Sequence, residues 1–152
     1  TVLAPYRDKP VQIVEIGFDQ GGSLMLWAEW FSNCQVLGID LQFRGNCQSD
    51  CARYSNIQIS LGNAYDMLSL PYYPYADIII DDGPHTKESH LQCLDFYLPK
   101  LKKNGSLIIE DIKQLEWTDE YIKKVPEGMT YEIVDIRQES GCSDGILFVV
   151  RN

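Results

Sequence analysis

The chain has 152 residues, 45% hydrophobic and 23% charged, which suits one domain burying roughly two-thirds of the surface exposed by its unfolded form. Acidic residues number 22 against 13 basic, for a net charge of −9, and lysine and arginine form no cluster, which argues against a phosphate-tracking nucleic-acid surface. No apolar run approaches the ~20 residues that cross a bilayer, the N-terminus does not resemble a signal peptide, and five cysteines are an odd number for a secreted disulfide framework.

Taken in order, the chain alternates strand and helix. The β-branched run VQIVEIG (11–17) ends in glycine and predicts a buried strand. GSLMLWAEWF (22–31) has Leu24, Trp27 and Phe31 at helical spacing, with Ser23 as its expected cap. QVLGID (35–40) and IQIS (57–60) are the second and third strands, and NAYDMLSL (63–70) is read as a short helix stopped by Pro71. YADIIID (75–81) is the fourth and most apolar strand. In KESHLQCLDFYLPKLKK (87–103), Leu91, Leu94, Leu98 and Leu101 share a helix face, and Asn104-Gly105 closes it. SLIIED (106–111) is the fifth strand, TDEYIKKV (118–125) a short helix capped by Thr118, and TYEIVDI and GILFVVR the last two strands. The pattern predicts one Rossmann-like, doubly wound α/β domain over residues 1–152, with a mostly parallel seven-stranded sheet and an antiparallel last strand.

In that fold ligands bind outside the carboxyl ends of the strands. EIGFDQGGS (15–23) lies there: Gly17 permits a sharp turn, Gly21 and Gly22 let backbone amides approach a ligand, and Ser23 opens the helix. The segment is not a strict dinucleotide fingerprint, and the P-loop pattern is absent. Asp40 ends the second strand, where a carboxylate can accept both hydroxyls of a ribose, and Asn63 can meet an adenine edge. Glu15, an acid inside the glycine turn, would repel a pyrophosphate but suits the ammonium and sulfonium of S-adenosylmethionine.

Two further strand ends carry acid pairs, IIIDDGPH (78–85) and LIIEDI (107–112). Asp82, Glu110 and Asp111 offer hard oxygen donors of the kind taken by Mg²⁺, Mn²⁺ or Ca²⁺, and a divalent ion would offset their mutual repulsion. Because strand side chains alternate, Asp81 and Asp82 cannot aim at one point, so Asp81 is expected to support the site or touch the cofactor. His85, past the Gly83-Pro84 turn, suits a general base at neutral pH, whereas His90 falls inside a helix and reads as structural. Cys47 and Cys51 have no second Cys or His pair at zinc spacing, and reduced cytoplasmic thiols are the expectation.

At these residues the chain resembles class I S-adenosylmethionine-dependent methyltransferases, and more narrowly the metal-dependent macrolide sugar O-methyltransferases and their cephalosporin-hydroxylase-like relatives. That group carries a strand ending in DDGSH, a helix, P-x-L-K-x-G-G and xIED; here the elements read IIIDDGPH, YLPKLKKNGSL and IIEDI, and GGSLMLWAEWFSNCQVLGIDL is similar to its cofactor segment. The resemblance implies Mg²⁺ (or Mn²⁺) on Asp82, Glu110 and Asp111, and His85 as catalytic base. It also implies S-adenosylmethionine at Glu15, Gly17, Asp40 and the Asn63 region, with a small-molecule hydroxyl acceptor such as a sugar. Two departures stand out: Pro84 replaces serine, and Asn63 stands where many members have Asp. Only about 40 residues follow Asp111, so the acceptor pocket is expected to be open, or completed by a second copy of the chain or by residues outside this sequence. A non-methylating enzyme or a cofactor-binding partner module is the rival reading.

Overall fold

The computed structural model describes residues 2–66 and 75–152. Seven strands form one sheet in the order β3-β2-β1-β4-β5-β7-β6. They are β1 (Pro10–Ile16), β2 (Asn33–Asp40), β3 (Ile57–Leu61), β4 (Ala76–Asp81), β5 (Leu101–Ile109), β6 (Thr130–Asp135) and β7 (Ile146–Arg151). β1 to β5 pair in parallel, and β7 runs antiparallel between β5 and β6. The Rossmann-like α/β sheet expected from the strand–helix alternation is therefore present.

Side-chain alternation divides the interior in two. Ile13, Ile78, Ile80 and Ile108 pack with Leu24 of α1 (Gly22–Trp30) on one face. Val14, Ile79, Leu107 and Ile109 pack with Cys93, Leu94 and Tyr97 of α3 (Lys87–Tyr97) and Tyr121 of α4 (Thr118–Ile122) on the other. A short helix absent from the sequence reading, α2 (Cys47–Cys51), lies between β2 and β3. A one-turn helix, α5 (Arg137–Ser140), joins β6 to β7.

Several element ends differ from expectation, each for a local reason. Gly21, in the left-handed region at φ +80°, precedes α1 with no side-chain cap, and Ser23 instead donates its hydroxyl hydrogen to Glu15. α3 starts on a capping box between Thr86 and Ser89 and stops at Tyr97, because Pro99 cannot supply a helical N–H. β5 consequently begins at Leu101 instead of Ser106 and is irregular around Asn104 (φ +62°), where its pairing with β4 shifts register. Thr118 opens α4 but donates to the Leu115 carbonyl instead of capping. Of the helix expected over 63–70, residues 64 and 65 form a turn, and 67–70 lie outside the described residues.

Candidate active site at the strand ends

The carboxyl ends of β1, β2 and β4 enclose a cavity of about 360 Å³. Gly17, Asp40 and Asn63 line it, as does Asp82. At Gly17 both conformation and space demand glycine: φ is +76°, and an added Cβ would stand 2.1 Å from the Asp82 carbonyl oxygen. A side chain at this position would therefore collide with the backbone that follows β4. Asp40 ties the turn to β2: one carboxylate oxygen accepts the Phe18 and Asp19 N–H groups at 3.1 and 3.2 Å, the other the Leu41 N–H at 2.6 Å. Asn63 accepts the Tyr65 N–H at 3.0 Å.

Asp19, Leu41, Arg44 and Tyr65 also line the cavity and had no signal in the sequence reading. Leu41 is 72% exposed beside Asp40, an apolar surface with little protein over it. Gly21, Gly22, Ser23 and Glu15 are not among the lining residues. Gly21 packs on the sulfurs of Cys47 and Cys51, which stand 3.8 Å apart on one face of α2. Glu15 is buried and accepts hydrogen bonds from the Ser23 hydroxyl and the Trp27 indole N–H. Burial pushes its pKa up to about 7, with smaller upward contributions from Asp82 and Glu110.

Asp81 faces the α3 side and is wholly buried, taking the Tyr65 hydroxyl proton in a hydrogen bond. Burial raises its pKa to about 6. An added Cβ on Gly83 would stand 2.2 Å from the Tyr65 hydroxyl oxygen, so this pair fixes the turn leading to His85 from beneath. His90 is likewise buried, with Nδ1 2.8 Å from the Tyr121 hydroxyl, and burial lowers its pKa to about 4.

Past that turn Asp82, His85 and Asp111 converge, each offering a donor atom, all within 4.8 Å of one another. His85 Nε2 is 2.9 Å from Asp82 Oδ1, and Nδ1 is 3.8 Å from Asp111 Oδ2. Both His85 (φ +53°) and Asp111 (φ +52°) hold a left-handed backbone, uncommon for non-glycine residues, which turns their side chains together. The hydrogen bond to Asp82 raises the His85 pKa, and burial raises that of Asp111. Glu110 does not join this group among the described residues. It lines an apolar cavity with Ile108 on the α1 side, and burial, then the charges of Asp82 and Asp111, lift its pKa to about 7.

Two carboxylates and an imidazole at this spacing fit one divalent cation, whose bonds to such donors run roughly 2.0 to 2.6 Å. Asp82 belongs both to this group and to the cavity lined by Gly17 and Asp40.

A family profile described as "Methyltransferase domain" matches residues 14–112. A tetracenomycin rhamnosyl 2'-O-methyltransferase of Streptomyces olivaceus is 30% identical over 126 residues, covering 76% of this chain and 32% of that one. The mycinamicin VI 2''-O-methyltransferase of Micromonospora griseorubida is 30% identical over 121 residues, covering 74% and 30%. This chain thus spans about a third of the length of these curated relatives. Among solved structures, a methyltransferase of the mycinamycin biosynthetic pathway, in complex with Mg and SAH, superposes with a TM-score of 0.61 at 24% identity, covering 81% of this chain and 32% of that one. An rRNA methylase of Streptococcus thermophilus superposes at 0.73 and 14% identity, covering 99% and 92%, so the fold is shared well beyond recognisable sequence.

Proposed function

The chain belongs to the methyltransferase-domain family, and on that premise we propose that it transfers a methyl group from S-adenosylmethionine to a hydroxyl of a small polyol, a sugar above all, with a divalent cation at the ends of β4 and β5. The observation that carries the reading is the double membership of Asp82, which brings the 360 Å³ cavity and the three-donor cluster within one side chain of each other.

In this reading the cavity takes the cofactor. Gly17 allows its close approach, Asp40 receives the ribose hydroxyls, and Leu41, Ala64 and Tyr65 flank the adenine beside Asn63. Glu15, Asp82 and Glu110 interact electrostatically, and together they lower the potential at the inner end, favouring a ligand that carries ammonium and sulfonium charges. Glu15 acts from beneath through Ser23 and Trp27, while Asp81 holds the 82–85 turn.

Asp82 and Asp111 are the proposed cation ligands. Mg²⁺ or Mn²⁺ would supply Lewis acidity that lowers the pKa of an acceptor hydroxyl. Glu110 adds negative charge next to the ion. His85 takes the hydroxyl proton. Its Nε2–H donates to Asp82, which leaves the Nδ1 lone pair on the Asp111 side to accept. The acceptor oxygen then forms the C–O bond as the sulfonium S–C bond breaks; S-adenosylhomocysteine leaves, and the proton remains on His85 until solvent removes it. The odd number of cysteines fits action in a reducing compartment such as the cytoplasm, and among the described residues no helix is long and apolar enough to cross a membrane.

Calorimetry with S-adenosylmethionine, with and without Mg²⁺, tests the reading. Saturable cofactor binding that Asp40→Ala weakens supports it, and absence of binding under both conditions ends it. Binding without metal-dependent product on any glycoside would favour a partner module.

A further inference from the structure

Cys47 and Cys51, the first and last residues of α2, bring their sulfurs to 3.8 Å on the buried face of the helix, while Gln48 and Ser49 are exposed. The pair has no part in methyl transfer, yet it supports both loops that build the cofactor cavity. On the β1 side, Gly21 rests on both sulfurs: an added Cβ there would stand 2.8 Å from each. Gly21 donates its N–H to the Phe18 carbonyl at 2.6 Å, and the Phe18 and Asp19 N–H groups in turn hold Asp40. On the β2 side, the Cys47 N–H donates to the Arg44 carbonyl at 3.1 Å, and Arg44 lines the cavity with Leu41.

We infer that Cys47 and Cys51 form a redox device beneath the cofactor cavity: oxidation joins them in a disulfide, and the two loops that line the cavity loosen. Cofactor affinity as the regulated property rests on the methyl-transfer reading; the disulfide and the loosening do not. Residues four apart in an α-helix have Cα atoms roughly 6 Å apart, inside the range of about 4.4 to 6.8 Å that a disulfide spans. The bond requires the sulfurs to close to about 2.05 Å, which draws at least one of them away from Gly21. Hydrogen peroxide is the oxidant. One thiolate attacks a peroxide oxygen, the O–O bond breaks and hydroxide leaves, giving a sulfenic acid. The second thiolate attacks that sulfur, a second hydroxide leaves and the S–S bond forms. The two thiol protons and two hydroxides make two waters, so the dithiol loses two electrons and one peroxide gains them. Burial raises both thiol pKa values, that of Cys47 to about 12, so neither reacts until the five-residue α2 opens. The device therefore answers sustained oxidation and not brief exposure.

The test compares the full chain, reduced and after prolonged hydrogen peroxide, by mass spectrometry of its peptides. Exposed Cys142 reports that the oxidant has acted. Treatment should link Cys47 to Cys51 and raise amide hydrogen exchange over residues 18–21 and 44–47. It should also weaken S-adenosylmethionine binding in calorimetry by about fivefold or more, and a phosphine reductant should reverse all three changes. Cys47→Ala and Cys51→Ala should each keep the exchange pattern and affinity unchanged by peroxide; if neither folds, linkage and exchange in the wild type decide. Oxidised Cys142 beside an unlinked Cys47 and Cys51 overturns the inference. So does a disulfide that leaves exchange unchanged, or a loss of affinity that the alanine variants share. A reduced chain that binds no S-adenosylmethionine strikes the methyl-transfer reading instead, and hydrogen exchange still decides this one.

Discussion

Two sets of acids stand at the same end of the sheet and are held differently. On the α1 face, Glu15 is buried and satisfied by the chain's own donors, Ser23 and Trp27. In the loops beyond β4 and β5, Asp82 and Asp111 are 40% and 43% exposed and turn toward a shared imidazole. The first arrangement sets an electrostatic background that the fold already supports. The second gathers three donor atoms within 4.8 Å of one another, the arrangement that the proposed cation requires. Glu110 lies between the two, coupled by charge to Asp82 and Asp111 yet opening onto the apolar cavity.

Substitution should separate these sets by the size of its effect. Asp82→Asn, which touches both the cofactor cavity and the cation cluster, should lower methyl transfer from tritiated S-adenosylmethionine to a glycoside panel by 10³-fold or more (roughly the scale expected when an ion and a proton acceptor's partner are lost together). His85→Ala should cost about 10² to 10⁴ in turnover while cofactor affinity measured by calorimetry stays within about twofold. Unchanged turnover would remove His85 as base, and a parallel loss of metal affinity would make it a ligand instead. Activity should rise as pH climbs through the raised His85 pKa, since the imidazole must be neutral to accept a proton.

Stability gives a smaller, opposite-facing test. Glu15 and Glu110 have folded pKa values near 7, above the ordinary 4.5, so the folded chain holds their protons more tightly than the unfolded chain does. The stability this contributes is complete below about pH 4.5 and is lost as pH rises through about 7. The metal-free Tm should therefore fall by several degrees from pH 5 to pH 8, and Glu15→Gln should flatten that slope. A Tm that climbs over the interval would contradict the assignment. The smallest effect is expected at Tyr65→Phe, which removes the hydroxyl donor to Asp81 and should lower turnover a few-fold by loosening the turn that carries His85.

Much of this was legible in the sequence because strands announce themselves by apolar, β-branched runs, and Rossmann-like sheets gather function at the strands' carboxyl ends. Gly17, Asp40, Asn63, Asp82, His85 and Asp111 were singled out that way as candidates, and the structure brings them to adjoining positions. The placement of Glu110 was recoverable too: the alternation that separates Asp81 from Asp82 separates Glu110 from Asp111, yet both were grouped as ligands. Ser23 misled because serine at a helix start usually caps, whereas here a buried carboxylate lies within its reach. Tyr65, Arg44 and Leu41 carried no pattern, since loop residues enter a cavity through tertiary packing and not through periodicity.

The most direct measurement is a titration of the chain with Mn²⁺ followed by electron paramagnetic resonance, repeated for Asp82→Asn and Asp111→Asn. The account predicts one bound ion per chain in the wild type and at least tenfold weaker binding in each variant. Stoichiometric binding that survives both substitutions, or no binding by the wild type, would contradict it.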